Sequence, residues 1–236
     1  MIVYGRNAVR EALRGRRAAS VSEVLASESA ARETWLSGVS VRRTSAAAIE
    51  QACGSVEHQG VCATLGDFPY SESSELLESN CFVLALDEVQ DPQNLGALCR
   101  TAECVGVSGV VICERRAVAV TAAVCRASAG AVEHLRIARA RNLADFLADA
   151  KRDGCWCYGA AVDERAVPYD QPDYSGSVVL VLGAEGHGLR PRVAASCDAL
   201  ITLPLHGRVG SLNVNAAGAA LMYQMLQRRR ALDRAP

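Results

Sequence analysis

The sequence predicts an α/β protein: a mostly parallel sheet in a larger C-terminal unit, preceded by a smaller α/β unit. Three observations carry this. Strand-like and helix-like stretches alternate along the chain. Several strands, VVLVLG (178–183) above all, are apolar throughout, as parallel strands covered by helices on both faces must be. Three strands end in loops rich in glycine and polar residues, and open α/β sheets bind ligands at such ends.

In order, Arg6 to Leu13 reads as a helix, SVSEVLAS as a strand, and Ala31 to Leu36 as a helix. VSVRRT reads as a strand, SAAAIEQAC as a helix and GVCATLG as a strand. This alternation predicts a small, largely parallel sheet over residues 1–68. Residues 69–79 are polar and serine-rich and read as a linker, in which LLES has the pattern of a helical turn. The second unit, 80–236, opens with the strand CFVLALDEV and the helix QNLGALCRTAECVG, then the strand GVVICE. TAAVCRASAGAVEH reads as a helix, as does NLADFLADAKRDG, whose amphipathic run ends at Gly154. WCYGAAV, VVLVLG and ALITLPL are strands, and NAAGAALMYQMLQRRR is a closing helix.

Composition narrows the function classes. The chain has 236 residues, 50% of them hydrophobic but only 5% aromatic, so its core rests on Ala, Val and Leu. No apolar run approaches the roughly 20 residues that span a bilayer, and the N-terminus lacks the apolar core of a signal peptide. A cytoplasmic protein with no membrane partner is expected. Ten cysteines lie scattered in apolar stretches, and the nearest pair, Cys155 and Cys157, is CxC. They read as free thiols, Cys99 and Cys104 as core thiols, with no metal site. A net charge of -1 gives no global field for polyanions, so any such binding is local. Arg6, Arg10 and Arg14, with Arg17 beyond, recur at helical spacing along one face. That face is either a solvated surface or a phosphate-docking stripe, and Gly15 places Arg16 and Arg17 past the helix.

The three loops carry the chemistry. In LDEVQDPQNLGALCRTA, Asp91 can cap a helix and Pro92 suits its first turn; capping explains neither Asn94 nor Arg100, which lies off the apolar face. In VLGAEGHGLRP, Gly183, Gly186 and Gly188 allow close backbone approach, but GxxGxG is not the dinucleotide fingerprint. Glu185 there suits a neutral or cationic ligand better than a phosphate. In LPLHGRVGSLNVNAAG, one of Ser211, Asn213 and Asn215 can be the N-cap. The others need partners, since an unpaired buried amide costs about 1–3 kcal/mol.

These loops resemble the three signature motifs of the SpoU family of RNA 2′-O-ribose methyltransferases, within the SPOUT superfamily. The matching stretches are DEVQDPQNLGALCRTAECVG, VLVLGAEGHGLRPRV and LPLHGRVGSLNVNAAGAALMYQ, and the resemblance covers the chain from about residue 80. VYGRNAVREAL and HQGVCATLGDF are similar to the L30e-like substrate-binding domain of the 23S rRNA (guanosine-2′-O-)-methyltransferase branch. The resemblance implies a trefoil-knotted catalytic domain, which no pattern argument would propose. It also implies S-adenosylmethionine as cofactor in the knot and a homodimer that completes each active site. Position by position, it assigns cofactor contacts to Gly183, Leu203 and Leu212. It assigns catalysis to Asn94, Arg100, Glu185, Ser211 and Asn213: Arg100 orients the target phosphate and steadies alkoxide charge, the asparagines position groups, and Glu185 holds Arg100 or another motif residue. Arg6, Arg10 and Arg14 would dock the RNA. Asn215 stands where the family usually has a small hydroxyl residue, Gln224 where Glu is common, and Asn215 is expected to be structural only. The implied reaction is 2′-O-methylation of a ribose, a guanosine of 23S rRNA first, with a tRNA ribose or a non-catalytic RNA-binding role as alternatives.

Overall fold

The computed structural model describes residues 1–232. The first part contains β1 (Ile2–Tyr4), α1 (Arg6–Ala12), β2 (Glu23–Ala26), β3 (Arg42–Arg43), α2 (Ala46–Cys53) and β4 (Val61–Thr64). They form one sheet in the order β1-β4-β2-β3. The expected largely parallel sheet is corrected here: β4 is antiparallel to both β1 and β2, and only β2 and β3 pair in parallel. The strands β1, β2 and β3 share one direction, as the alternation implies, but β4 inserts between β1 and β2 running the other way. Its partners are remote in sequence, and periodicity does not encode them. The expected helix from Ala31 to Leu36 is also corrected. It is two 3₁₀ turns, Ala30–Arg32 and Thr34–Leu36, separated by Glu33 in an extended conformation. Six residues are too few to offset helix nucleation.

The segment from 69 to 79 is fixed to the second part. Ser71 bridges to Ala138, a 3₁₀ turn spans Ser73–Leu76, and Leu76 is fully buried.

The second part runs β5 (Phe82–Asp87), α3 (Pro92–Val105), β6 (Gly109–Cys113), α4 (Ala122–Ala127), β7 (Ile137–Ala140), α5 (Leu143–Arg152), β8 (Trp156–Ala160), β9 (Val167–Pro168), β10 (Val178–Gly183), α6 (Pro191–Ser196), β11 (Ala199–Thr202) and α7 (Val214–Leu232). All pairs are parallel, in the order β7-β6-β5-β10-β8-β11-β9. The central strands explain why the sequence is apolar without alternation. Leu84, Leu86, Leu180 and Leu182 pack in one layer with α3 and α7, while Val83, Ala85, Val179 and Val181 pack in the other with α5 and α6. The first layer continues through Val3, Val9 and Val24, so one core joins the two parts. The strand β7 escaped the sequence reading because IARA carries an arginine on its exposed face. The stretch expected as one helix from 121 to 134 breaks at Ala129 and Gly130, both with positive φ, before a 3₁₀ turn Ala131–Glu133.

That break aims Glu133 at the first part. Arg17 (3% exposed) donates from Nε to Oε2 of Glu133 (1% exposed) at 2.9 Å, and its guanidinium lies over the Phe68 ring. Arg16 donates to the Leu135 carbonyl, and His134 meets Glu11 at 2.9 Å. Cys99 is buried, as expected, but Cys104 on the same helix is exposed and is no core thiol. It falls two residues past the buried Ala102, on the outward side of an amphipathic helix. Among the described residues no helix is long and apolar enough to cross a membrane, and no group of metal-ligating side chains occurs.

Candidate active site

Three loops meet beyond the carboxyl ends of β5, β10 and β11. The first enters α3, where Asp91 caps by accepting from the Gln93 N–H at 2.9 Å and Pro92 occupies the first turn. Asn94 follows in that turn and is buried (7% exposed), whereas Arg100 is exposed. Six residues separate them, so they point about 120° apart round the helix. Among the described residues no hydrogen bond or ion pair engages the Arg100 guanidinium, and of the two expected kinds of partner for Glu185, Arg100 or another motif residue, it is the second, Asn213, that it meets.

The second loop turns back at once after β10, with Ala184 bridged to Gly188. A Cβ on Gly183 would lie 2.1 Å from the Gly188 carbonyl carbon, so only glycine permits the turn. The loop is pinned by a contact the sequence reading missed. Asp87, at the end of β5 and 1% exposed, accepts from the Arg190 N–H at 2.9 Å and from its Nε at 2.8 Å. Arg190 also reaches Glu88 at 3.1 Å. The available signal was a carboxylate closing the wholly apolar run FVLAL: such a group must be paired.

The third loop runs from 203 to 213 and enters α7. Asn213 is its N-cap: Oδ1 accepts from the Asn215 N–H at 2.9 Å. The Asn213 Nδ2 donates to Glu185, which ties the third loop to the second. Asn215 in turn donates from Nδ2 to Oδ1 of Asn94 at 2.6 Å and ties it to the first. The expectation that Asn215 is structural only is therefore incomplete. The helix seats closely here, since a Cβ on Gly218 would fall 2.6 Å from a Leu98 methyl and 2.8 Å from a Leu182 methyl.

Between the second and third loops lies a cavity of about 440 Å³. Gly183, Leu203 and Leu212 all line it, as does Ser211, together with Leu200, Leu205 and the ends of β8 and β10. Its one carboxylate, Asp163, is neutralised by a bidentate pair with Arg165. Leucine walls, backbone groups of two loops and a glycine turn suit a nucleoside-sized ligand, and the volume falls in the range of small-molecule sites. Asn94, Arg100, Glu185 and Asn213 lie outside the lining, at or beyond its rim. One chain thus brings Asn94, Asn213 and Glu185 into one network with Ser211 nearby, but not Arg100.

Of the arginine stripe, Arg6 pairs with Glu33 at 2.8 Å and Arg10 with Glu11 at 2.8 Å, while Arg14 is exposed. Arg17 belongs to the buried pair with Glu133 instead.

The sequence and structure are similar to known proteins over nearly the whole chain. Residues 81–223 match the SpoU rRNA Methylase family model, and residues 2–71 match the model for RNA 2′-O ribose methyltransferase substrate binding. The chain is 38% identical over 198 residues to the 23S rRNA (guanosine-2′-O-)-methyltransferase RlmB of Xanthomonas campestris, covering 81% of this chain and 79% of that protein. It is 41% identical over 179 residues to YacO of Bacillus subtilis, assigned to the TrmH family of tRNA/rRNA methyltransferases, covering 73% and 72%. The crystal structure of AdoMet-bound rRNA methyltransferase from Sinorhizobium meliloti superposes with a TM-score of 0.80 at 27% identity, over 96% of this chain and 86% of that one. The first match, over residues 81–223, spans all three loops that build the cavity and its rim, and the chain belongs to the SpoU rRNA methylase family.

Proposed function

We propose that this protein transfers a methyl group from S-adenosylmethionine to the 2′-hydroxyl of a guanosine in 23S rRNA. The observation that carries this is the apolar cavity at the ends of parallel strands, with the Asn94, Asn215, Asn213 and Glu185 network at its rim. The cofactor, when bound, supplies a methyl carbon open to in-line attack by a ribose oxygen. Gly183, Leu203 and Leu212 hold it through apolar contact and backbone groups and exclude water. Ser211, on the lining next to Asn213, marks the boundary between cofactor and RNA. Asn94 and Asn213 position the ribose by hydrogen bonds, so part of the acceleration comes from orientation. Arg100 grips the target phosphate and steadies charge growing on the oxygen.

Because Arg100 points away from Asn94 and engages no partner among the described residues, this reading includes a homodimer in which a second copy completes each site. It also includes the trefoil knot of the family, with residues 80–236 as the knotted catalytic domain, 69–79 as the linker and 1–68 as the L30e-like RNA-binding domain. The RlmB relative supports 23S rRNA as target, and the reading includes a cytoplasmic setting. Arg6, Arg10 and Arg14 dock the RNA by phosphate contacts. The test is incorporation of labelled methyl from S-adenosylmethionine into purified 23S rRNA, 16S rRNA and tRNA, with mapping of the product nucleotide. A 2′-O-methylguanosine in 23S rRNA alone is expected. Methylation confined to tRNA would overturn the target, and no incorporation in any arm would overturn the enzyme.

A further inference from the structure

We infer that Asn215 is a positioning residue that sets which end of the Asn94 amide faces the RNA. The inference rests on the proposed role of Asn94 and deepens it.

The geometry is a choice between two amide orientations. Asn215 donates from Nδ2 to Oδ1 of Asn94 at 2.6 Å, while its own backbone N–H is held by Oδ1 of Asn213. Oδ1 of Asn215 is buried and has no partner among the described residues. Turning both amides over would let Asn94 donate to that oxygen, but the Nδ2 of Asn215 would then be the buried orphan. A buried amide nitrogen with two unmet protons costs more than an under-satisfied carbonyl oxygen. The observed orientation therefore prevails. It turns the Asn94 Oδ1 toward Asn215 and leaves the Asn94 Nδ2, at the other end of the amide, without a protein partner among the described residues. The unpartnered end of Asn94 is thus a donor, and the group that meets it is an acceptor. Asn94 is absent from the cavity lining, which places that acceptor outside the cofactor pocket. The partner is an oxygen of the RNA sugar–phosphate backbone at the target nucleotide.

Four variants of the full-length protein test this, read as kcat and KM for RNA methylation, cofactor Kd and thermal midpoint. Asn215→Asp keeps the volume but cannot donate, so the Asn94 amide turns over and presents its oxygen. RNA methylation should fall by about tenfold or more, the scale for loss of an oriented donor, with cofactor Kd unchanged. A lower kcat at unchanged KM identifies the reacting hydroxyl as the acceptor, and a raised KM identifies a phosphate. Asn215→Ser retains a donor and should stay within threefold of wild type. Asn215→Ala removes the donor without adding charge and covers the case in which the aspartate variant does not fold. Asn94→Ala should lose activity, and placing Asn215→Asp on that background should add no further loss in single-turnover rate. Wild-type activity of both Asn215→Asp and Asn215→Ala would overturn the inference, as would additive losses with Asn94→Ala or equal damage from Asn215→Ser. If Asn94→Ala is itself fully active, the role of Asn94 is wrong and the inference falls with it, which separates the two failures.

Discussion

At the scale of single residues, the chemistry of each side chain sets its testable role. Arg100 is exposed and outside the cavity, which is consistent with the proposed role on RNA and not on cofactor. Arg100→Lys keeps the charge but loses the planar fork that grips a phosphate. Methylation should drop by roughly tenfold or more, with cofactor affinity, measured by calorimetry, unchanged. A wild-type rate would remove Arg100 from the mechanism. Asn213 illustrates how much was legible in advance. That one of three polar residues at spacing two is a cap, and that the rest need partners, follows from local rules. Which one caps, and that the partners are Glu185 and Asn94, depends on loops up to 121 residues away.

At the scale of elements, two closely packed glycines, one ending β10 and one inside α7, behave differently. A methyl at Gly218 meets only the tips of Leu98 and Leu182, which can move. A methyl at Gly183 meets the backbone of Gly188 and Leu189, which cannot. Gly218→Ala should therefore cost little, since alanine favours the helix by about 1 kcal/mol. Gly183→Ala should open the turn after β10 and weaken cofactor binding by roughly tenfold or more, about 1.4 kcal/mol per decade. Thermal melts and cofactor titration of both variants check this, and equal behaviour of the two would contradict it. The apolar runs of β5 and β10 announced buried parallel strands before any coordinates. The insertion of β4 was hidden because pairing direction is decided by remote partners.

At the scale of the whole molecule, the two parts are joined by a shared core and by charged contacts, of which Arg17 with Glu133 is the most buried. Glu11 meets His134 across the same boundary. Burial pushes the Glu11 carboxyl up, but hydrogen bonds from Arg10 and His134 outweigh it and hold the group below its ordinary value. Its contribution to stability is thus present above the unfolded carboxylate value, about 4.3, and is lost as pH falls through the lower folded value. Glu11→Gln should flatten the acid limb of the stability profile, followed by denaturant unfolding between pH 6 and 3, and an unaltered limb would sink the assignment. In the proposed reading, the fixed joint would also set where Arg6, Arg10 and Arg14 present bound RNA. Changing the three to Ala should reduce the salt dependence of RNA affinity, by up to about one unit of log–log slope for each lost phosphate contact. An identical slope would make the stripe a solvated face paired with Glu33 and Glu11.

The sequence by itself determined the class of fold of the larger unit and the three loops, whereas Gly183, Leu203 and Leu212 were named through the family resemblance of those loops. The fold class and the loops depend on local quantities: periodicity, capping chemistry and glycine at strand ends. The tertiary structure alone decided the direction of β4, the Arg17–Glu133 joint, the Asp87–Arg190 pin and the bond from Asn215 to Asn94. Each of these joins groups far apart in the chain, and a buried polar group declares that it needs a partner without saying which one it will find.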